Sequence, residues 1–93
     1  MSNPTFLFLG ASWCGPCNRI KPIWEEMKAT YSNAVFNFYD IDTDEGRALA
    51  MKHGVKGVPF VASLSASGGV QATLKSPSLL RDFITGICHQ VGP

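Results

Sequence analysis

The order of elements legible in the sequence, β-α-β-α-β-β-α, predicts an α/β protein: a four-stranded mixed sheet flanked by three helices. Three observations carry this. A short apolar run, Phe6 to Leu9, is bounded by Pro4 and Gly10 and is followed by apolar residues at helical spacing. The same change from strand to helix pattern recurs between Ala34 and His53. Two further strand-like runs, Phe60 to Leu64 and Val70 to Leu74, are separated by a loop of small residues and precede a last amphipathic helix. With 93 residues the chain has room for one core, which predicts a single domain over residues 1–93.

Each element has its own reason. After a polar lead, Met1 to Pro4, expected to be loosely held, the first strand runs from Thr5 to Leu9 and is apolar throughout, as a strand covered on both faces should be. From about Cys14 to Tyr31, Ile20, Ile23, Trp24, Met27 and Tyr31 recur at three, four, seven and eleven residues from the first and share one helical face. Pro22 lies inside this helix, where its ring removes a hydrogen bond and should bend the axis. Ser32-Asn33 breaks the pattern, and Ala34 to Tyr39, rich in aromatic and branched residues, predicts a second strand ending at Asp40.

A run of acids follows, Asp40, Asp42, Asp44 and Glu45 around Thr43. A cap explains it more simply than a cation: Asp42 or Thr43 as N-cap with acids in the first turn, opening a short helix from about Asp44 to His53. Gly54 supplies the left-handed residue that closes such a helix, and His53 complements its C-terminal dipole. Ser65 to Gly69 turns the hairpin. Pro77-Ser78 opens the last helix, whose apolar face carries Leu80, Phe83, Ile84, Ile87, Cys88 and Val91; Cys88 reads as a small hydrophobe there.

Between the first strand and its helix stand Cys14 and Cys17. A helix N-terminus presents unpaired N–H groups and the positive end of the macrodipole, and both favour an anion such as a thiolate. Such placement lowers a cysteine's pKa from about 8.5 to roughly 3.5–7.5. Three residues of separation bring the two sulfurs within bridging reach, with Gly15 and Pro16 shaping the turn. Two cysteines in a C-x-x-C and one remote are not a secreted disulfide framework, and in a reducing compartment such a pair is usually catalytic. A structural disulfide, or half of a zinc or iron-sulfur site shared by two chains, are the competing readings.

The string Trp13-Cys14-Gly15-Pro16-Cys17, with Pro22 five residues on, resembles the active-site motif of the thioredoxin family, and Gly57-Val58-Pro59 resembles the loop that faces the cysteines in that family. The element order resembles the minimal thioredoxin fold, as in glutaredoxins, lacking the N-terminal strand and helix of full thioredoxins. The resemblance implies a thiol-disulfide oxidoreductase in which Cys14 attacks a protein disulfide and Cys17 resolves the mixed disulfide. It further implies a substrate groove framed by Trp13, Val58 and Pro59, with the Val58 backbone pairing with the substrate chain and Pro59 cis. X-Pro bonds are those where cis costs little, whereas on the residues alone Pro59 is a strand-entry proline. Gly-Pro between the cysteines resembles reducing members. The partners implied are disulfide-containing proteins and, as electron donor, a thioredoxin-reductase-like flavoenzyme or glutathione, with no cofactor or metal. The alternatives are a glutaredoxin-like glutathione-coupled reductase and a non-catalytic thioredoxin-like binding subunit of a larger enzyme.

The sequence departs from the family at four places. Phe8 stands where the family has a buried aspartate that relays the resolving cysteine's proton, and Phe38 where it has the partner lysine. Exchanging a whole buried ion pair for apolar residues is energetically coherent, whereas breaking one is not. Water is then expected to take the Cys17 proton. Gly10 replaces a tryptophan, and Lys75-Ser76-Pro77 is shorter than the family's connection and has no glycine. The strand Ala34 to Tyr39 is expected to be a bare sheet edge, which makes the chain a monomer or weak dimer.

Composition narrows the rest. Eight Lys and Arg against seven Asp and Glu give a formal net charge of +1 and no basic stripe, so nothing supports nucleic-acid binding. The N-terminal apolar run is too short to span a membrane and lacks the basic flank of a secretory signal, so a cytoplasmic location is expected.

Overall fold

A central strand buried on both faces sets the architecture. The computed structural model describes residues 4–90; Met1, Ser2 and Asn3 of the polar lead, and Val91 of the last apolar face, lie outside the described residues. The elements are β1 (Thr5–Gly10), α1 (Gly15–Thr30), β2 (Val35–Asp40), α2 (Asp44–Lys52), β3 (Phe60–Leu64), β4 (Val70–Thr73), a 3₁₀ turn (Pro77–Leu79) and α3 (Leu80–Gln90). The sheet order is β2-β1-β3-β4, with β1 parallel to β2 and antiparallel to β3, and β3 antiparallel to β4. This is the predicted four-stranded mixed sheet with three helices, a thioredoxin-type fold.

Because successive side chains point to opposite faces, Phe6 and Phe8 lie in the core with Ile20, Trp24 and Met27 of α1 and Leu80 and Ile84 of α3. Leu7 and Leu9, which alternate with them, are buried as well. The continuous apolar run of β1 is thus a central strand covered on both faces. Aromatic rings knit the core at its centre: Phe8 and Phe36 each meet Trp24 edge to face, with centroids 5.3 and 5.1 Å away. Burial of side chains this large stabilises by about 1.5–3 kcal/mol each.

The boundaries follow their caps. Thr43 is the N-cap of α2, its Oγ1 accepting the Gly46 N–H at 3.0 Å, and His53 is its C-cap, followed by Gly54 at φ 65°. Gly68 of the hairpin also has positive φ, at 92°. Several ends differ by a residue or more from expectation, and two of the differences have a local cause. β4 stops at Thr73, yet Leu74 still donates its N–H to the Val61 carbonyl at 2.8 Å and packs on the core. Pro77 opens a 3₁₀ turn rather than α3 itself, a common way to begin a helix. Cys88 is half-buried against the core, as a small hydrophobe would be.

Two features bear on the site. Gly46 is buried where α2 crosses the end of β2, and a Cβ there would fall on the Asp40 carbonyl, so only glycine allows the approach. Among the described residues β2 has β1 on one side and no strand on the other. No helix among them is long and apolar enough to cross a membrane.

Candidate active site

The site grows from the C-terminal end of β1. After Gly10 and Ala11 the chain turns, closed by the Cys14 N–H donating to the Ala11 carbonyl at 3.1 Å and by Asn18 Nδ2 donating to the Ser12 carbonyl at 3.1 Å. Cys14 is the N-cap of α1, extended at φ −88° and ψ 110°. Its carbonyl accepts the Asn18 N–H at 3.1 Å, and its sulfur accepts the Cys17 N–H at 3.2 Å. The sulfur thus occupies the place of a capping oxygen. Gly15 and Pro16 fill the first two helical positions, where the absent proline N–H costs nothing.

Cys14 and Cys17 form a disulfide, with Cα atoms 5.2 Å apart. Both are nearly covered, at 5% and 3% exposure, while neighbouring Trp13 is 66% exposed. Trp13 is not loose: its Nε1 donates to Asp42 Oδ2 at 3.0 Å. Asp42 therefore leaves the cap of α2 to Thr43 and holds the indole beside the cysteines instead.

Two clefts open around the turn that carries the disulfide, one beside Trp13 and one beside Cys17. One, of about 180 Å³, is lined by Trp13, Ile41, Val55, Gly57 and Val58 among others, and Pro59 does not line it. The Val58-Pro59 bond is cis. Pro59 lies one residue beyond the Leu9–Phe60 pair of the β1–β3 ladder, level with the end of β1 where the cysteine turn begins. The other cleft, of about 110 Å³, opens beside Cys17 and is lined by Phe8, Phe38, Asn18, Lys21 and Asp40 among others. Lys21 Nζ stands 4.4 Å over the Phe38 ring, a cation–π contact. Pro22 lines neither cleft: it is exposed on α1, which runs through it without a break.

The thioredoxin family model matches residues 2–87. The chain belongs to the thioredoxin family. It is 32% identical over 65 residues to a thioredoxin of Borreliella burgdorferi, covering 70% of this chain and 55% of that protein. With a Malassezia sympodialis thioredoxin it shares 37% over 76 residues, 81% of this chain and 72% of the relative. The chain spans about half the length of several such relatives. Among solved structures, oxidised thioredoxin from Plasmodium falciparum superposes with a TM-score of 0.78 at 29% identity, covering 94% of this chain and 83% of that one. Thioredoxin O2 from Arabidopsis thaliana gives 0.78 at 27%, covering 94% and 76%.

Within this thioredoxin fold, sequence reasoning missed three contributors to the site: Asp42, Lys21 and Asp40. Asp42 and Asp40 sat in the acidic run and were absorbed by the capping argument. A tryptophan next to the cysteines, with a polar ring N–H to satisfy, was the available hint that one acid had another partner.

Proposed function

We propose that this thioredoxin-family chain reduces protein disulfides through a Cys14–Cys17 dithiol/disulfide cycle. The observation that supports it most is the Cys14 sulfur at the N-cap of α1, accepting a helix N–H and bridged to Cys17. The same N–H and helix dipole that hold this sulfur in the disulfide stabilise a thiolate on Cys14 when the bond is reduced.

In the cycle, Cys14 thiolate attacks one sulfur of a substrate disulfide; that S–S bond breaks and the first substrate thiolate leaves. Cys17 loses its proton and attacks the Cys14 sulfur, expelling the second substrate thiolate. Two electrons have passed to the substrate, and Cys14–Cys17 is oxidised. A thioredoxin-reductase-like flavoenzyme or glutathione returns the electrons. The cleft shared by Trp13 and Val58 serves as the groove for the substrate chain, with the Val58 backbone pairing to it; Pro59, next in the chain and cis, follows the groove toward the end of β1. The chemistry suits a reducing compartment such as the cytoplasm.

The test is the reduction potential of the Cys14–Cys17 pair in a glutathione titration, alongside reduction of insulin disulfides. A value near about −270 mV with insulin reduction that disappears in Cys14→Ser supports a reductase. A value of about −200 mV or above points to a glutathione-coupled or isomerase-like role. A Cys14→Ser/Cys17→Ser protein that kept its biological effect would mark a binding subunit and overturn the proposal.

A further inference from the structure

Resolution of the mixed disulfide requires Cys17 to lose a proton, because only the thiolate attacks. The helix terminus does not solve this. The N–H of Cys17 itself points at the Cys14 sulfur, and the Cys17 side chain is 3% exposed. The proton must leave through the 110 Å³ cleft beside it, whose volume corresponds to several waters at about 30 Å³ each.

The groups facing that cleft are few. From α1 come Lys21 and the neutral Asn18; from β1, Phe8; from the turn after it, Ala11 and the neutral hydroxyl of Ser12; from β2, Phe38 and Asp40. Cys14 lies on the other side of the disulfide, and Asp42 is taken up by Trp13. A lysine ammonium carries donors only, whereas an aspartate carboxylate carries acceptors only. Strand register puts Asp40 in position. A Cβ built on Gly10 would stand 3.3 Å from Cys17 Sγ, so the sulfur lies over Gly10. Asp40 is the register partner of Gly10 on β2, roughly 4.8 Å across the ladder, and alternation puts it on the same face as Phe38. One carboxylate oxygen accepts the Asp42 N–H at 2.8 Å; the other has no hydrogen bond within the protein among the described residues.

We propose that Asp40 is the proton acceptor for Cys17 in the resolving step, reached through the cleft over Gly10. This rests on the disulfide-reductase reading and deepens it. The Cys17 S–H proton passes along the cleft to the Asp40 carboxylate; the resulting thiolate attacks the Cys14 sulfur. The bond from Cys14 to the substrate breaks with its electron pair on the substrate sulfur, and the proton held by Asp40 returns to solvent or to that leaving group. Lys21, a cation lining the same cleft, favours the thiolate.

Ellman's reagent separates the steps, because reduced protein releases one thionitrobenzoate when Cys14 attacks and a second when Cys17 resolves. In stopped flow, Asp40→Asn is expected to slow the second release about tenfold at neutral pH. The pH profile of the second release should shift upward, the first should keep its rate, and Asp40→Glu should restore the second. Asparagine keeps an acceptor for the Asp42 N–H, so the turn is preserved. Should that variant fold poorly, the Asp40 carboxyl ¹³C shift in the reduced unmodified protein gives an independent reading. It should show a second titration step at the Cys17 pKa that vanishes in Cys17→Ser. An unchanged second release, or a carboxyl shift without that step, overturns the assignment while leaving the reductase reading intact. Absence of the first release in the unmodified protein would overturn both.

Discussion

Phe8 and Phe38 stand opposite one another in the β1–β2 register, their rings edge to face with centroids 4.9 Å apart, and a Cβ on Gly10 would touch both rings and Cys17 Sγ together. The floor beneath Cys17 is therefore apolar. A carboxylate placed there alone would be buried without a partner. Phe8→Asp is expected to destabilise by about 3–5 kcal/mol, with Phe8→Asp/Phe38→Lys recovering part of that loss. A urea double-mutant cycle reads the coupling directly. Stopped-flow resolution should nonetheless speed up in the folded Phe8→Asp protein, because a second acceptor then touches the floor under Cys17; an unchanged rate would count against an apolar floor slowing the step.

Gly46 carries a second expectation. Its missing Cβ lets α2 rest on the Asp40 carbonyl. Gly46→Ala should cost about 1–3 kcal/mol as an overpacked contact between backbones. Because the displaced segment carries Asp40, resolution by Cys17 should slow as well. A denaturation midpoint equal to that of the unsubstituted protein would contradict the packing argument.

Much of this fold was legible because local pattern and tertiary role agree. Phe6 to Leu9 is apolar without interruption and is the central strand; Ile20, Trp24 and Met27 share a helical face and are all buried. The caps at Thr43 and Gly54 have strong local chemistry of their own. The Cys14–Cys17 disulfide follows from spacing on a helix start. What stayed hidden depends on contacts across the chain. Asp42 is 29 residues from Trp13, and nothing local distinguishes its role from capping. Gly46, inside α2, looks like a weak helix former until the strand it crosses is known. Lys21 reads as a solvated helix residue, and only the neighbouring strand shows that it overhangs Phe38.

Acid should loosen the contact between α1 and α3. Arg81 pairs with Glu26 through both guanidinium nitrogens and holds its carboxyl below the ordinary range, chiefly by hydrogen bonding. Folded Glu26 binds a proton less readily than unfolded Glu26, so the unfolded chain takes up more protons as the pH falls. The stabilisation is full above the ordinary glutamate value of about 4.3 and is lost as the pH drops through the lowered one. Glu26→Gln should flatten this part of the acid limb in urea melts, and high salt should shrink the difference because the pair is half-exposed. Equal acid limbs in both proteins would show that the pair contributes nothing.

Cys88 should behave unlike the other two cysteines. Burial pushes its thiol up, which favours the less reactive protonated form. Iodoacetamide with mass mapping is expected to label reduced Cys14 first and Cys88 more slowly. Labelling of Cys88 ahead of Cys14 would contradict this order.

The cap at Cys14 ties two equilibria into one thermodynamic square. Reduced and oxidised chains each fold and unfold, so any free energy that the capped thiolate adds to the folded dithiol must reappear in the electrochemical leg of the cycle, at about 1.4 kcal/mol per 30 mV. A better cap for the sulfur makes the protein a weaker electron donor. The melting curves of the two redox forms, measured side by side, therefore report the same quantity as an electrode.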